Sequence, residues 1–254
     1  MELRPLGRTR IRVAALGLGT VAWGRDTGLK YPRPVTLPSD ARIAELVARA
    51  EALGINLLDT APAYSVSETR VGQALAGRRD RWVISTKVGE RFDGARSEFD
   101  FSAAAVRQSV ESSLKALRTD RLDIVLIHSD GFDEGEAKFG ASAETLARLK
   151  QQGLVRAIGF SGKTVKGGLW AAGWADVLMV TWNEQERDQA PVIEEAARRG
   201  IGVLAKKPLA AGRLPASALR FVVKTPGVTS AVIGTTDPAH LASAVEATKG
   251  TPDG

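Results

Sequence analysis

Four residues of this chain are of types that together can move a proton onto a carbonyl oxygen: Asp59, Tyr64, Lys87 and His128. A phenol ordinarily titrates near about 10, too high for easy proton exchange at neutral pH. A lysine cation beside Tyr64 would favour the phenolate and lower that value. A carboxylate such as Asp59 would hold the lysine in place. A neutral histidine would hydrogen-bond the substrate oxygen, and Tyr64 would protonate the alkoxide as it forms. Taken singly, each residue also has an ordinary reading. Asp59 is then a loop cap and Tyr64 an aromatic near a turn. Lys87 is a surface lysine, or a Schiff-base lysine as in barrel aldolases. His128 is a hydrogen-bonded structural histidine. Only placement on one edge of a fold would join the four.

The elements that would place them read clearly. Eight short apolar runs, at 15–19, 56–59, 82–87, 122–127, 155–160, 177–181, 202–205 and 228–233, alternate with segments of helical period. Runs without polar alternation suit parallel strands buried on both faces. Ile43, Leu46, Val47, Ala50 and Leu53 share one helical face, with Gly54 just past the end. Val106, Val110, Leu114 and Leu117 share another. Ser65 and Glu68 have the spacing of a capping box, and Asp237-Pro238 marks a helix start. Eight such alternations predict a (β/α)8 barrel, one domain over 1–254. The competitor is an open doubly wound sheet. There Gly17-Leu18-Gly19 would continue into a glycine-rich phosphate turn, but its third glycine position is Ala22. Residues 4–13 predict a hairpin around Gly7 that plugs the barrel's bottom, and 249–254 a frayed end. In such a barrel, chemistry sits at the C-terminal ends of the strands. There the second, third and fourth runs deliver Asp59, Lys87 and His128, and the turn after the second delivers Tyr64.

Composition narrows the function. The chain has 254 residues, 44% hydrophobic and 25% charged, the balance of an ordinary globular protein. With no cysteine, disulfides, thiolate metal sites and cysteine nucleophiles are excluded, and no metal site is expected. The net charge of +6 is scattered rather than gathered into a stripe, so no nucleic-acid partner is expected. A mild positive field favours an anionic ligand such as a dinucleotide. No signal-like or membrane-spanning stretch is present, and the expectation is a cytoplasmic protein without a membrane partner.

The segments LGLGT (16–20), INLLDTAPAY (55–64), STKVG (85–89), SLKALRTDRLDIVLIH (113–128), VRAIGFSG (155–162) and VTSAVIGTTDPAHL (228–241) occur in this order. Together they resemble the signatures of the aldo-keto reductases over nearly the whole chain. That resemblance implies a (β/α)8 barrel binding NADPH, or NADH, in an extended pose without a Rossmann domain. It implies Tyr64 as general acid, Lys87 as the residue that depresses its pKa, Asp59 as the partner of Lys87, and His128 as the residue orienting the carbonyl. Implied cofactor contacts are Gly19, Thr20, Asp59, Ser161, Gly162, Met179, Lys206, Lys207, Pro208, Leu209, Gly212, Gly234, Thr235, Thr236 and His240. Trp23, Phe92 and Trp182, which follow the first, third and sixth runs, are candidate substrate-pocket walls that would suit a hydrophobic or aromatic aldehyde, with ordinary packing as the other reading; the substrate is expected to be a small carbonyl compound.

The chain departs from the family pattern at the cofactor end. Gly162 stands where an asparagine is usual, Met179 where a glutamine is usual, and Lys206 where an aromatic stacks on the nicotinamide. His240 takes the place of a phosphate-binding arginine, with no lysine nearby and with Asp237 adjacent to the site. Lys206 would cover the ring face with its stem or turn toward the pyrophosphate. The family habit favours NADPH, with NADH also usable. A cofactor-sensing binding or regulatory protein of the same fold is the alternative function.

Overall fold

The structure, a computed structural model, describes residues 1–29, 32 and 34–249. Eight strands form a closed barrel: β1 (Leu16–Gly19), β2 (Leu57–Asp59), β3 (Val83–Val88), β4 (Leu122–His128), β5 (Val155–Ser161), β6 (Val177–Thr181), β7 (Gly202–Lys206) and β8 (Ser230–Gly234). Each pairs with its sequence neighbours in parallel, and β8 returns to β1 through Ala231↔Leu16 to Gly234↔Gly19. Apart from a single helical turn at Val21–Gly24 after β1, eight helices follow the strands in turn among the described residues: α1 (Asp40–Ala52), α2 (Ser67–Ala74), α3 (Ala103–Ala116), α4 (Glu136–Gln151), α5 (Val165–Ala171), α6 (Ala190–Arg199), α7 (Leu219–Lys224) and α8 (Pro238–Lys249). The (β/α)8 expectation is met. The frayed end expected at 249–254 lies outside the described residues, apart from Lys249.

Side-chain alternation along each strand sorts the core into two layers. Inward residues such as Leu57, Ile124, Leu126, Met179 and Leu204 fill the lumen. Outward residues such as Leu58, Val125, Ile127 and Val203 pack under the helices with Ile43, Val47, Val106 and Val110. Ser39, Ser102 and Thr164 cap α1, α3 and α5, each side-chain oxygen accepting a backbone N–H in the first turn. The capping box expected at Ser65 and Glu68 does not form. Val66 is the N-cap of α2, and Ser65 sits in the left-handed region at φ 55°. Glu68 is instead buried, and Thr86 Oγ1 donates to its Oε1 at 2.6 Å.

The N-terminal hairpin pairs Leu3–Pro5 with Arg12–Ala14 and closes the bottom of the barrel. Leu6, Ile11 and Val13 belong to the lumen cluster. Gly7 makes the seal at φ 56°, where a Cβ would lie 2.3 Å from the backbone nitrogen of Gly202. At the same end Asp123 is 1% exposed. Its carboxylate accepts from Arg79 (2.8 Å), Arg156 (2.7 Å) and the backbone N–H of Ile84 (3.0 Å). Among the described residues, no helix is long and apolar enough to cross a membrane.

Candidate active site

The rim opposite the hairpin is built from strand ends. Asp59 closes β2, and the Thr20 backbone N–H and hydroxyl both donate to its carbonyl, tying β1 to β2. Lys87 and Ser85, two apart on β3, both turn inward. The Lys87 ammonium donates to Asp59 Oδ1 (2.9 Å), Asp59 Oδ2 (2.8 Å) and the Thr60 carbonyl (2.8 Å), and it also bonds the Tyr64 phenol. Ser85 Oγ adds a bond to Asp59 Oδ1 at 2.9 Å. The short 3-10 turn Pro62–Tyr64 then sets the Tyr64 ring over this pair, its centroid 4.9 Å from Lys87 Nζ. His128 ends β4 and meets Tyr64 edge to face, with centroids 6.4 Å apart and planes at 87°. The four residues therefore converge.

Their electrostatics differ from expectation in one respect. Burial pushes the Tyr64 phenol above its ordinary value; Lys87 pulls it back without winning. The depressed phenol expected from Lys87 alone is corrected, because desolvation of a phenolate at the rim outweighs the cation below it. Lys87 is raised above its ordinary value: burial opposes its charge, and Asp59 and Tyr64 more than offset that. An ammonium so held has no lone pair to offer, which sets aside the Schiff-base reading. His128 is lowered by burial first, and then by Lys87 and Lys206, against the pull of Glu90.

Glu90 was not anticipated. It opens a second hairpin, Glu90–Phe92 with Ser97–Phe99, that rises from the end of β3. Its Oε2 stands 2.6 Å from His128 Nδ1, and Ser97 Oγ donates to its Oε1 at 2.6 Å. Its carboxyl is held down to about 2: burial raises it, but His128, Ser97 and Lys163 prevail. The Asp93-Gly94 pair between two short runs is a hairpin signal that marks this element in the sequence.

Across the rim, Lys206 ends β7 and reaches β5. Its ammonium donates to Ser161 Oγ (2.9 Å) and to the Gly162 carbonyl (2.7 Å). Burial, then Lys207, Lys87 and Lys163, bring it down to about 7, against the opposing pull of Asp133. Met179, beside Ser161 in register, points into the lumen and is 2% exposed. After β7 the backbone takes left-handed angles at Lys207, Ala210, Ala211 and Gly212. Pro208 is buried and Leu209 packs against the outer core. A concavity of about 410 Å³ here is lined by Lys207, Ala210, Ala211, Arg213, Gln185 and Glu186.

After β8, Gly234 is exposed while Thr235 and Thr236 are half-buried. His240 is exposed, 3.8 Å from Asp237. Arg42, also unforeseen, reaches over from α1. Its guanidinium donates to the Thr236 carbonyl (3.1 Å) and to Asp237 Oδ1 (3.1 Å). Of the three aromatics expected to wall a pocket, Phe92 lies at the rim, with the Arg25 guanidinium 3.7 Å above its ring. Trp23 and Trp182 instead pack inside. Trp23 is 0% exposed, its Nε1 donating to the Thr235 carbonyl at 3.4 Å. Trp182 is 6% exposed, bonded to Thr225 Oγ1 at 2.9 Å and stacked on Phe221. Gly19 flanks the rim, half-buried.

Comparison with known proteins agrees with this architecture. The model of the aldo/keto reductase family matches residues 15–217. A crystal structure of a Pseudomonas aeruginosa protein assigned to the aldo-keto reductases is 52% identical, covers 97% of this chain and 93% of its own, and superposes with a TM-score of 0.89. L-galactose dehydrogenase of Arabidopsis thaliana is 32% identical over 226 residues, 84% of this chain and 67% of that protein. NADH-specific methylglyoxal reductase of Escherichia coli is 32% identical over 173 residues, 63% of this chain and 51% of that protein. The chain thus spans about half to two thirds of the length of these curated relatives.

Proposed function

Because the chain belongs to the aldo/keto reductase family and is an oxidoreductase by that membership, we propose that it reduces aldehydes or ketones to alcohols with a nicotinamide dinucleotide, Tyr64 serving as general acid. The observation that carries this is the Lys87 ammonium locked between Asp59 and Thr60 beneath the Tyr64 ring.

The residues at the cofactor end fit such a group. Where two amide side chains are absent, the Lys206 ammonium and Ser161 hydroxyl form a polar pair at the rim. They offer donors to a carboxamide. The left-handed stretch after β7, with Lys207 and Arg213 beside it, offers a cationic concavity to phosphates. Arg42 brings a guanidinium to the loop after β8, where it is bonded to the Thr236 carbonyl, Asp237 and Glu45. The choice of NADPH, with NADH accepted, rests on family habit. When bound, the dinucleotide supplies the hydride.

The protein's own part is proton supply and polarisation. Tyr64 Oη gives its proton to the substrate oxygen as negative charge develops there. The Lys87 ammonium stabilises the phenolate left behind, and Asp59 keeps that ammonium charged and in place. The raised phenol suits donation, since it is fully protonated at neutral pH. Tyr64→Phe is expected to cut the turnover of an aldehyde by at least about 10²-fold, the usual scale of a lost general acid, while dinucleotide affinity stays within about twofold of the parent. Near-normal turnover by this variant would overturn the proposed mechanism.

A further inference from the structure

Arg25 stands at the rim, unused by the proposed reaction. It follows the helical turn Val21–Gly24. Gly24 presses that turn against the one that carries Tyr64: a Cβ on Gly24 would lie 2.2 Å from the Tyr64 carbonyl oxygen and 2.4 Å from the Ser67 nitrogen. Arg25 is thereby fastened to the backbone of the proposed general acid. Its Nε donates to the Thr27 carbonyl at 2.8 Å, and its Nη1 makes a long bond, 3.5 Å, to the carbonyl of Ala63, the residue before Tyr64. Its guanidinium sits over the Phe92 ring, 3.7 Å from the centroid.

These contacts hold a cation in place without neutralising it. Arg70, which bonds the Trp23 carbonyl of the same helical turn, is paired with Asp40, and Arg42 is paired with Asp237 and Glu45. Arg25 has carbonyls and a ring, and among the described residues no carboxylate stands within ion-pair distance of it. A guanidinium has five N–H donors, and those on Nη2 lie beside Gly28, where a Cβ would stand 2.7 Å from that nitrogen. Glycine at this position leaves the edge uncovered, and Arg25 is half-buried rather than sealed. The ring beneath it fixes the guanidinium in advance, so less freedom is lost when a ligand binds.

We propose that Arg25 selects substrates that carry a carboxylate, receiving that group while the carbonyl lies at Tyr64. The reacting half of this assignment rests on the proposed function above; recognition of the carboxylate does not. A monoanionic carboxylate matches one guanidinium in charge and in its two-toothed geometry. The guanidinium reaches the backbone end of Tyr64, whereas the proton leaves from the far end of that side chain. The substrate class is therefore an oxo acid whose carbonyl and carboxylate are separated by a spacer. Lys163 and Lys206, which act on Glu90 and His128 across the rim, add a positive potential that draws such an anion in. Glu90 opposes them, with its carboxylate turned to His128 and Ser97.

4-Carboxybenzaldehyde and 4-methylbenzaldehyde share a shape and differ in charge. For the whole chain with a reduced nicotinamide dinucleotide, kcat/KM is expected to be about tenfold higher for the acid, near the lower end for hydrogen bonds to a charged group. In Arg25→Met this ratio should fall to about one, and in Arg25→Lys, which keeps the charge and loses the fork, to a value between the two. Raising salt from about 50 mM to about 0.5 M should shrink the parent's ratio and leave that of Arg25→Met where it is. Equal efficiency with the two aldehydes in the parent overturns the proposal even if neither variant folds. A parental ratio in Arg25→Met overturns it too, including the case where both substrates slow alike, which would make Arg25 a brace for the hairpin that bears Phe92.

Binding gives a second readout. With the oxidised dinucleotide present neither aldehyde is reduced, and calorimetry measures a Kd for each. Binding of the acid that weakens about tenfold in Arg25→Met, in a protein that reduces neither aldehyde, supports the carboxylate site and overturns carbonyl reduction. Reduction of both aldehydes with equal kcat/KM and equal Kd does the reverse.

Discussion

Lys206 is the residue at which this site differs most from its family pattern. A cation at pH 6 and largely neutral at pH 8, it crosses its midpoint near about 7. An oxidised nicotinamide is itself a cation. Below the midpoint the two charges repel; above it they do not. Affinity for the oxidised dinucleotide is thus expected to rise by about tenfold from pH 6 to pH 8, about 1.4 kcal/mol of relieved repulsion. The reduced form should change far less. Titrations with Lys206→Met should be flat across that range, and a parental slope in the variant would remove Lys206 from the explanation. At this scale the sequence revealed residue types but not their balance of forces. The placement of Asp59, Tyr64, Lys87 and His128 was legible because each closes or follows an apolar run. The sign of the Tyr64 shift was not, because it depends on how far desolvation outweighs one cation. Glu90 and Arg42 escaped because they meet His128 and Asp237 across 38 and 195 positions of chain, and no local pattern records such contacts.

Among the elements, the N-terminal hairpin carries a clear expectation. Gly7→Ala forces a side chain into a left-handed position and against the backbone of β7. Backbone cannot yield there without lifting Leu6, Ile11 and Val13 from the lumen. A loss of about 2–4 kcal/mol is expected, within the range of strained or overpacked buried positions. A denaturant titration measures it, with activity per folded molecule retained. The hairpin and all eight strands were legible from short apolar runs and from Gly7. The false capping box at Ser65 shows the limit. Tyr64 must face the rim, and the turn that allows this drives Ser65 into left-handed backbone and makes Val66 the cap. The tertiary requirement overrode the local pattern.

For the whole molecule, closure of the sheet separates stability from chemistry by placing them at opposite ends. Asp123 joins Arg79, β3 and β5 at the hairpin end, far from the rim. Asp123→Asn leaves two guanidinium groups without their shared carboxylate. A loss of about 3 kcal/mol is expected, as when one partner of a buried ion pair is removed. Thermal melting measures it. Turnover at 25 °C should be unchanged, and a fall in kcat at full folding would show that the two ends are coupled. The barrel as a whole was legible from the count and order of its runs. This ion-pair cluster was not, since its members read individually as scattered surface charge.

The burial of Trp23 has an optical consequence. Its indole is sealed from water and pinned to Thr235, between the loops that follow β1 and β8. Reduced nicotinamide absorbs light in the region where indoles emit. Trp23 is therefore a built-in energy donor beside the rim, whose own brightness is indifferent to the solvent. Addition of the reduced dinucleotide should quench tryptophan fluorescence and raise nicotinamide emission under indole excitation. Trp23→Phe should retain the affinity and lose the larger part of that transfer, although four other tryptophans remain.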